Sequence, residues 1–204
     1  MRLLSLFIGY LFGCFLTGDR VARHKTGRSA FAIGSGNPGM TNILGQLGIM
    51  WAAVTLLGDI LKTVLPCILC RYVLFRSLGS LAILYAGVGT ALGHGYPFWH
   101  GFRGGKGVAV TCACLMLFSP LWGLLANLAG LGIVLVTGYL AVGALAIPSL
   151  FLIPAFLKSG AEAGFVTLAG VVLLFSLHGD SLRRIRNGSE KKTDLISKIR
   201  SRNE

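Results

Sequence analysis

The sequence predicts an all-helical membrane protein, a single bundle of transmembrane helices over residues 1–204 whose polar residues are gathered into a few short segments. Three observations carry that prediction. Hydrophobic residues make up 54% of the chain and charged residues only 13%, where an ordinary soluble domain carries roughly 25% charged residues. Mean hydropathy is +0.74. Apolar runs reach or approach the roughly 20 residues that cross a hydrocarbon core, and almost every charge lies between them. The 29 glycines agree with this class. In a bilayer, small residues let helix backbones approach where apolar burial supplies no drive for association.

The first apolar run covers 3–16, with Arg2 ahead of it. A charged end before an apolar stretch is also the pattern of a secretory signal peptide, but no small-x-small cleavage site follows and the chain continues as more membrane, so the run is read as a span. The second and third runs cover 49–69 and 78–92. Between 108 and 177 the apolar sequence is broken at Ser119-Pro120, at Thr137-Gly138 and around 154–164, where Lys158 and Glu162 lie, which divides it into four segments.

The basic residues set the orientation. Arg20, Arg23, Lys25 and Arg28 against Asp19 follow the first run, Arg103 and Lys106 precede the fourth, and 179–204 form a basic tail with Arg183, Arg184, Arg186, Lys191, Lys192, Lys198, Arg200 and Arg202. The positive-inside rule puts all three on the cytoplasmic side, which requires an even number of crossings between Lys106 and the tail. The expected topology is therefore seven transmembrane helices, with the N-terminus outside and the C-terminus in the cytoplasm. Arg71 and Arg76, placed outside by this topology, run against the rule.

Cys14, Cys67, Cys70, Cys112 and Cys114 all sit in or beside apolar runs and read as small buried hydrophobes rather than a disulfide framework. Cys67 and Cys70 have metal or redox spacing, but no second ligand pair accompanies them, and the sequence calls for no metal and no cofactor. The net charge of +12 follows from the topology and from attraction of the tail to anionic membrane lipids. No basic-aromatic module accompanies it, so no nucleic acid is expected as a partner.

Four segments could carry chemistry. Gly34-Ser35-Gly36-Asn37-Pro38-Gly39-Met40-Thr41-Asn42 stands directly before the second run. Glycines there let backbone N–H groups converge into an anion nest beside a helix start, with Ser35, Thr41 and Asn42 as side-chain donors. Asn-Pro-Gly is equally a good turn, and Thr or Asn a good helix cap. Gly93-His94-Gly95-Tyr96-Pro97-Phe98 leads into Phe102-Arg103-Gly104-Gly105-Lys106-Gly107, where Arg103, Lys106 and three glycines could clamp a phosphate. It is not a P-loop, because the required glycine and hydroxyl positions hold His100 and Gly107. Trp99 and Phe102 also suit a plain interfacial anchor.

Third, His178-Gly179-Asp180-Ser181-Leu182-Arg183-Arg184 leaves the last run, where a histidine beside an acid and arginines can act as base or phosphate donor, or simply anchor the helix end. Fourth, Asp59 and Lys62 lie one helical turn apart inside the second run. Opposite charges in hydrocarbon must pair or face a polar cavity, so that helix face should point inward.

Together these segments resemble the acyl-phosphate:glycerol-3-phosphate acyltransferases of bacterial membranes, the PlsY family. The pattern G-S-G-N-x-G-x-T-N is met by Gly34, Ser35, Gly36, Asn37, Gly39, Thr41 and Asn42. The pattern G-H-x-x-P with F-[KR]-G-G-K-G-V-A is met by Gly93, His94, Pro97 and the run from Phe102 to Ala109, while Asp59, Lys62 and Pro66 match a D-x-x-K helix. The resemblance implies a seven-span fold and transfer of a fatty acyl group from acyl-phosphate to the 1-hydroxyl of glycerol 3-phosphate. It implies catalytic roles for His178, Ser181, Lys106 and Ser35, and substrate binding by Gly34, Gly36, Asn37, Thr41, Asn42, His94, Arg103, Gly104, Gly105, Gly107, Arg184 and Glu190. The implied partners are acyl-phosphate, glycerol 3-phosphate and membrane lipids. This chain departs from the family in having Gly45 where arginine is usual, Ser181 where asparagine is usual, and no basic residue in 29–33.

The competing reading is a degenerate, non-catalytic or transport paralogue that binds a phosphorylated lipid or a small phosphate compound. The acyl-CoA acyltransferases with a His-x4-Asp pair are disfavoured, because His24, His94, His100 and His178 are followed at that spacing by Ser29, Trp99, Gly105 and Arg183.

Overall fold

A computed structural model describes residues 1–193 and divides the chain into two compact units, Met1–Phe118 and a second that begins at Ser119. The tail cations Lys198, Arg200 and Arg202 lie outside the described residues. Everything regular among the described residues is helical, as the composition predicts.

The first unit contains α1 (Arg2–Gly13), α2 (Thr17–Thr26), α3 (Met40–Leu47), α4 (Ile49–Ile68), α5 (Leu81–Gly95) and α6 (Val108–Phe118). Its hub is α5, which packs against α1, α4 and α6 and is buried along most of its length. Glycine makes the α1–α5 contact possible. A Cβ added at Gly9 or Gly13 would fall on the carbonyl oxygen of Ala86 or Thr90, and one at Gly89 or Gly93 would fall on that of Leu6 or Tyr10. The two backbones therefore interlock from both sides, the close approach that small residues permit in membranes.

Two expectations for this unit change. The basic segment after the first run is not a loop but α2, whose Thr17, Asp19, Val21 and Ala22 are buried while Arg20, Arg23 and Lys25 face outward. Asp19 and Arg23 pair across one turn at 2.8 Å, and Gly27 ends the helix with φ +68. The glycine segment does not lead directly into the second run either. It leads into α3, and Gly48 (φ 85, ψ 178) then redirects the chain into α4. Further along, Pro66 lacks the N–H that α4 would need there, and a π-helical turn (Leu69–Leu74) follows it. Arg71 stacks over Tyr72 at 5.1 Å, and Arg76 Nε donates to Tyr72 O at 2.5 Å.

The second unit contains α7 (Pro120–Thr137), α8 (Leu140–Ser159), α9 (Ala161–Leu177) and α10 (Gly179–Arg186). The breaks at Ser119-Pro120 and Gly138 fall where the sequence places them. The break expected around 154–164 is confined to Gly160, and Pro154 lies inside α8 together with Pro148. Neighbouring helices and local adjustments tolerate such prolines in apolar surroundings. Close packing again uses glycine, with Gly130 against Gly143 and Ile147, and Gly164 against Phe156.

Four helical stretches among the described residues, Arg2–Thr26, Ile49–Leu74, Pro120–Thr137 and Leu140–Ser159, are long and apolar enough to cross a membrane. α9 and α10 qualify as a pair bent by 58°. Large apolar side chains face outward along these helices, Val136 at 88% exposure and Leu157 at 77% among them. Such a surface is stable only against lipid. Four of the five cysteines are buried and Cys112 is half-buried.

Candidate functional site

The first glycine segment is shaped by two side chains that lie outside or at the end of it. Asp19 on α2 receives Ser29 Oγ at 2.5 Å and Ala30 N at 2.9 Å on one carboxylate oxygen, with Arg23 on the other. Asn42 on α3 is 6% exposed; its Oδ1 accepts from Ser35 N at 2.8 Å and its Nδ2 donates to Ile33 O at 3.1 Å and Ala30 O at 3.3 Å. The N–H groups of Ser35 and Gly36 are thus already occupied, the second by Ile33 O at 3.0 Å. Asn42 acts here as the internal brace of the turn, and the groups the turn presents outward are the exposed Ser35 and Thr41. Gly34, at φ +54, leaves no room for a Cβ, which would strike Asn42 Oδ1 and crowd Gln46. Asn37 and Gly36 are half-buried within the same turn. Gly45 lies on the exposed face of α3 with open space where a side chain would begin.

The second segment wraps the end of α5. Gly105 N donates to His94 O at 2.9 Å, and Phe102 N to Pro97 O at 3.1 Å. Tyr10 Oη donates to Tyr96 O at 3.0 Å and Trp99 Nε1 to Cys14 O at 3.0 Å, which fastens the segment to α1 and to the break after it. Phe102 has φ 58, a left-handed conformation that costs a non-glycine residue energy and that sits directly before the exposed Arg103. Gly104 and Gly105 lie against the His94 and Gly95 carbonyls and the His94 ring, where no side chain would fit. Lys106 is half-buried, and Gly107, at φ 73, turns the chain into α6. The rings of Phe31 and His100 meet at 5.8 Å, so the two glycine segments adjoin.

Beneath them lies the ionic cluster. Asp59, Lys62 and His94 are 3%, 6% and 3% exposed. Lys62 Nζ reaches Asp59 Oδ1 at 2.9 Å without hydrogen-bond alignment, His94 Nδ1 at 2.7 Å and Phe15 O at 2.8 Å. The inward face expected for Asp59 and Lys62 is what the structure has, and the pairing is direct.

In the second unit His178 is the joint between α9 and α10 and is 1% exposed. Its Nδ1 lies 2.8 Å from Leu174 O. A carbonyl only accepts, so Nδ1 carries the proton and Nε2 is the basic nitrogen. Ser181, fully buried, accepts from Arg184 Nη2 at 3.0 Å, and Arg184 Nε pairs with Glu190 at 2.5 Å. Thr193 N donates to Gly138 O at 2.7 Å and Lys192 lies 5.6 Å from the Tyr139 ring, so the described start of the tail returns to the α7–α8 turn.

Three residues with structural roles escape a reading of the sequence. In the sequence Asp19 reads only as a balancing charge among arginines, although it is the lone acid in a basic stretch. Phe31 and His100 are joined by a ring contact that spans the two segments and leaves no local signature.

The family model described as glycerol-3-phosphate acyltransferase matches residues 3–188. A glycerol-3-phosphate acyltransferase of Alkaliphilus metalliredigens is 36% identical over 193 residues, covering 94% of this chain and 96% of the relative. One of Lactobacillus johnsonii is 34% identical, covering 97% of this chain and 95% of the relative. Among solved structures, the glycerol 3-phosphate form of PlsY, described as an integral membrane glycerol 3-phosphate acyltransferase, superimposes with a TM-score of 0.85 at 26% identity. That match covers 97% of this chain and 98% of the other. The lysophosphatidic acid form of PlsY matches with a TM-score of 0.80 at 28% identity, over 94% of each chain.

Proposed function

The chain belongs to the glycerol-3-phosphate acyltransferase family, and from that membership we propose that it moves a fatty acyl group from acyl-phosphate to the 1-hydroxyl of glycerol 3-phosphate, giving lysophosphatidic acid and phosphate for phospholipid biosynthesis. It is a multi-pass integral membrane acyltransferase. The observation that carries the reading is the family match over residues 3–188, which takes in both glycine segments and the His178 joint.

The chemistry suits the parts. The hydroxyl oxygen attacks the acyl carbonyl carbon, an ester bond forms, the bond from that carbon to the phosphate oxygen breaks, and phosphate leaves with the electron pair. Acyl-phosphate is a mixed anhydride with a good leaving group, so positioning and charge stabilisation carry most of the work. Arg103 and Lys106, with Gly104, Gly105 and Gly107, hold one phosphate; Ser35, Thr41 and Asn37, on the turn braced by Asn42, Gly34 and Gly36, hold another. His94 supports the first of these. The hydroxyl proton passes to His178 Nε2 or to the departing phosphate, with Ser181, Arg184 and Glu190 fixing the helix that follows the histidine. The charge bias of α2, of residues 103–106 and of the basic tail supports a site on the cytoplasmic face of a bacterial inner membrane, in one seven-span domain with residues 179–204 as its tail.

Protein purified in detergent and supplied with acyl-phosphate and glycerol 3-phosphate is expected to release inorganic phosphate and form lysophosphatidic acid. Lys106→Ala should slow release by about 100-fold. Release by the wild type no faster than by that variant overturns the proposal.

A further inference from the structure

We propose that Lys62, buried inside α4, is a positioning residue for the phosphate-holding segment Arg103–Lys106, acting through the imidazole of His94. The proposal rests on the reading of that segment as the acyl-phosphate site.

Lys62 Nζ meets three parts of the chain that are far apart in sequence. It donates to the carbonyl of Phe15, at the break between α1 and α2, over a separation of 47 residues at 2.8 Å. It donates to His94 Nδ1 over 32 residues at 2.7 Å, and it faces Asp59 one turn away at 2.9 Å. An ammonium has only protons to give, so Nδ1 is an acceptor and the imidazole proton is on Nε2. That fixes the ring's tautomer and its rotation together.

The fixed ring is what the segment rests on. A Cβ at Gly105 would strike His94 Nε2, so the imidazole edge is in contact with the backbone of Gly105, and the Gly105 N–H is tied to His94 O at 2.9 Å. One side of the histidine is therefore set by Lys62 and the other side sets the height of the Gly104-Gly105 backbone, whose next residue is Lys106. Trp99 Nε1 on Cys14 O gives the segment a second fastening beside the Phe15 carbonyl that Lys62 also grips. A charge 6% exposed in an apolar bundle is costly. Pairing with Asp59 alone would balance it, yet the ammonium protons are directed instead to the helix break and the histidine.

The two explanations separate in kinetics. Lys62→Met alone strands the Asp59 carboxylate in the interior, which by itself destabilises, so the diagnostic variant is the double neutral Asp59→Asn with Lys62→Met. If Lys62 positions the segment, this variant raises KM for acyl-phosphate and lowers kcat/KM for that donor by about 10- to 100-fold, with KM for glycerol 3-phosphate unchanged. A lysine that merely balances Asp59 gives a double variant with wild-type KM for both substrates, and that result overturns the proposal. Gly105→Ala presses the same ring from the opposite side and tests the link without touching the ion pair. It is expected to reproduce the donor-specific KM increase, and a normal donor KM in this variant also overturns the proposal. Lys106→Ala is run in parallel: if it leaves the donor KM unaltered, the site assignment and this proposal fall together, whereas a defective Lys106→Ala beside a normal double variant overturns the positioning role alone.

Discussion

The two units hold their functional side chains by different means. In the first, buried Asp19, Asn42, Lys62 and His94 reach partners on other elements, over separations of 10 and 11 residues for Asp19, up to 12 for Asn42, and 32 and 47 for Lys62. In the second, His178 bonds to Leu174 and Ser181 to Arg184, neighbours four and three residues away. The glycine segments of the first unit therefore depend on tertiary packing for their shape, whereas the bonds described at the histidine of the second lie within its own helix joint. Substitutions in the first unit should disturb folding and site together, and those in the second should separate the two.

The largest effect is expected where α1 and α5 interlock. A Cβ at Gly89 would fall on the Leu6 carbonyl, a backbone group that cannot rotate aside. Gly89→Ala should cost about 3 kcal/mol or more, read as a lower midpoint of thermal unfolding in detergent. Gly179, at the joint in the second unit, has nothing within 4 Å of a built Cβ. Gly179→Ala is expected to shift stability by under about 0.5 kcal/mol. Equal losses in the two variants would erase the contrast between the units.

Asp19 gives an intermediate effect. Removing its carboxylate leaves the buried Ala30 N–H without its acceptor and Ser29 without its anchor. Asp19→Ala should lose about 1–3 kcal/mol and lower activity with it, because the turn that presents Ser35 begins there. Asp19→Asn keeps an acceptor for Ala30 and gives up mainly the pair with Arg23, whose side chain is 52% exposed. It should retain most of both, since exposed ion pairs contribute about 0–1 kcal/mol. Asparagine as damaging as alanine would show that charge, rather than the hydrogen-bond brace, shapes the segment.

The same division explains what could be read in advance. Apolar runs at 3–16, 49–69 and 78–92 appear as α1, α4 and α5, and the later breaks at Ser119-Pro120 and Gly138 are real, because length, hydropathy and punctuation by proline and glycine act locally. The positions of the glycine segments were legible for the same reason. Their internal wiring was not. The sequence offers Asn42 as a donor to a ligand, but its amide hydrogens go to Ala30 O and Ile33 O, acceptors that only the folded turn brings near. The basic residues after α1 suggested a loop, and only the burial of Thr17, Asp19, Val21 and Ala22 reveals a helix with one covered face. Lys62 and Asp59 announced a buried pair through their spacing, yet nothing at that spacing could announce Phe15 or His94.

A modest stability effect is expected at Ser181 in the second unit, and it is the most informative about chemistry. Ser181 is fully buried, and its hydroxyl oxygen receives Arg184 Nη2 at 3.0 Å while Glu190 grips Arg184 through Nε. Ser181→Ala removes one local acceptor from an arginine that keeps its carboxylate, so unfolding should shift by only about 0.5–1.5 kcal/mol. The first turn of α10, where His178 O accepts from Leu182 N at 2.9 Å, is independent of the serine and should persist. If Ser181 serves the reaction only by steadying Arg184, then Ser181→Ala should lower kcat by about tenfold or less with no more than that modest loss of stability, and a Ser181→Thr variant should restore turnover because it keeps the oxygen. A Ser181→Ala enzyme with unaltered kcat would mean that Glu190 alone suffices to hold Arg184, and would shift the functional weight of this unit onto His178.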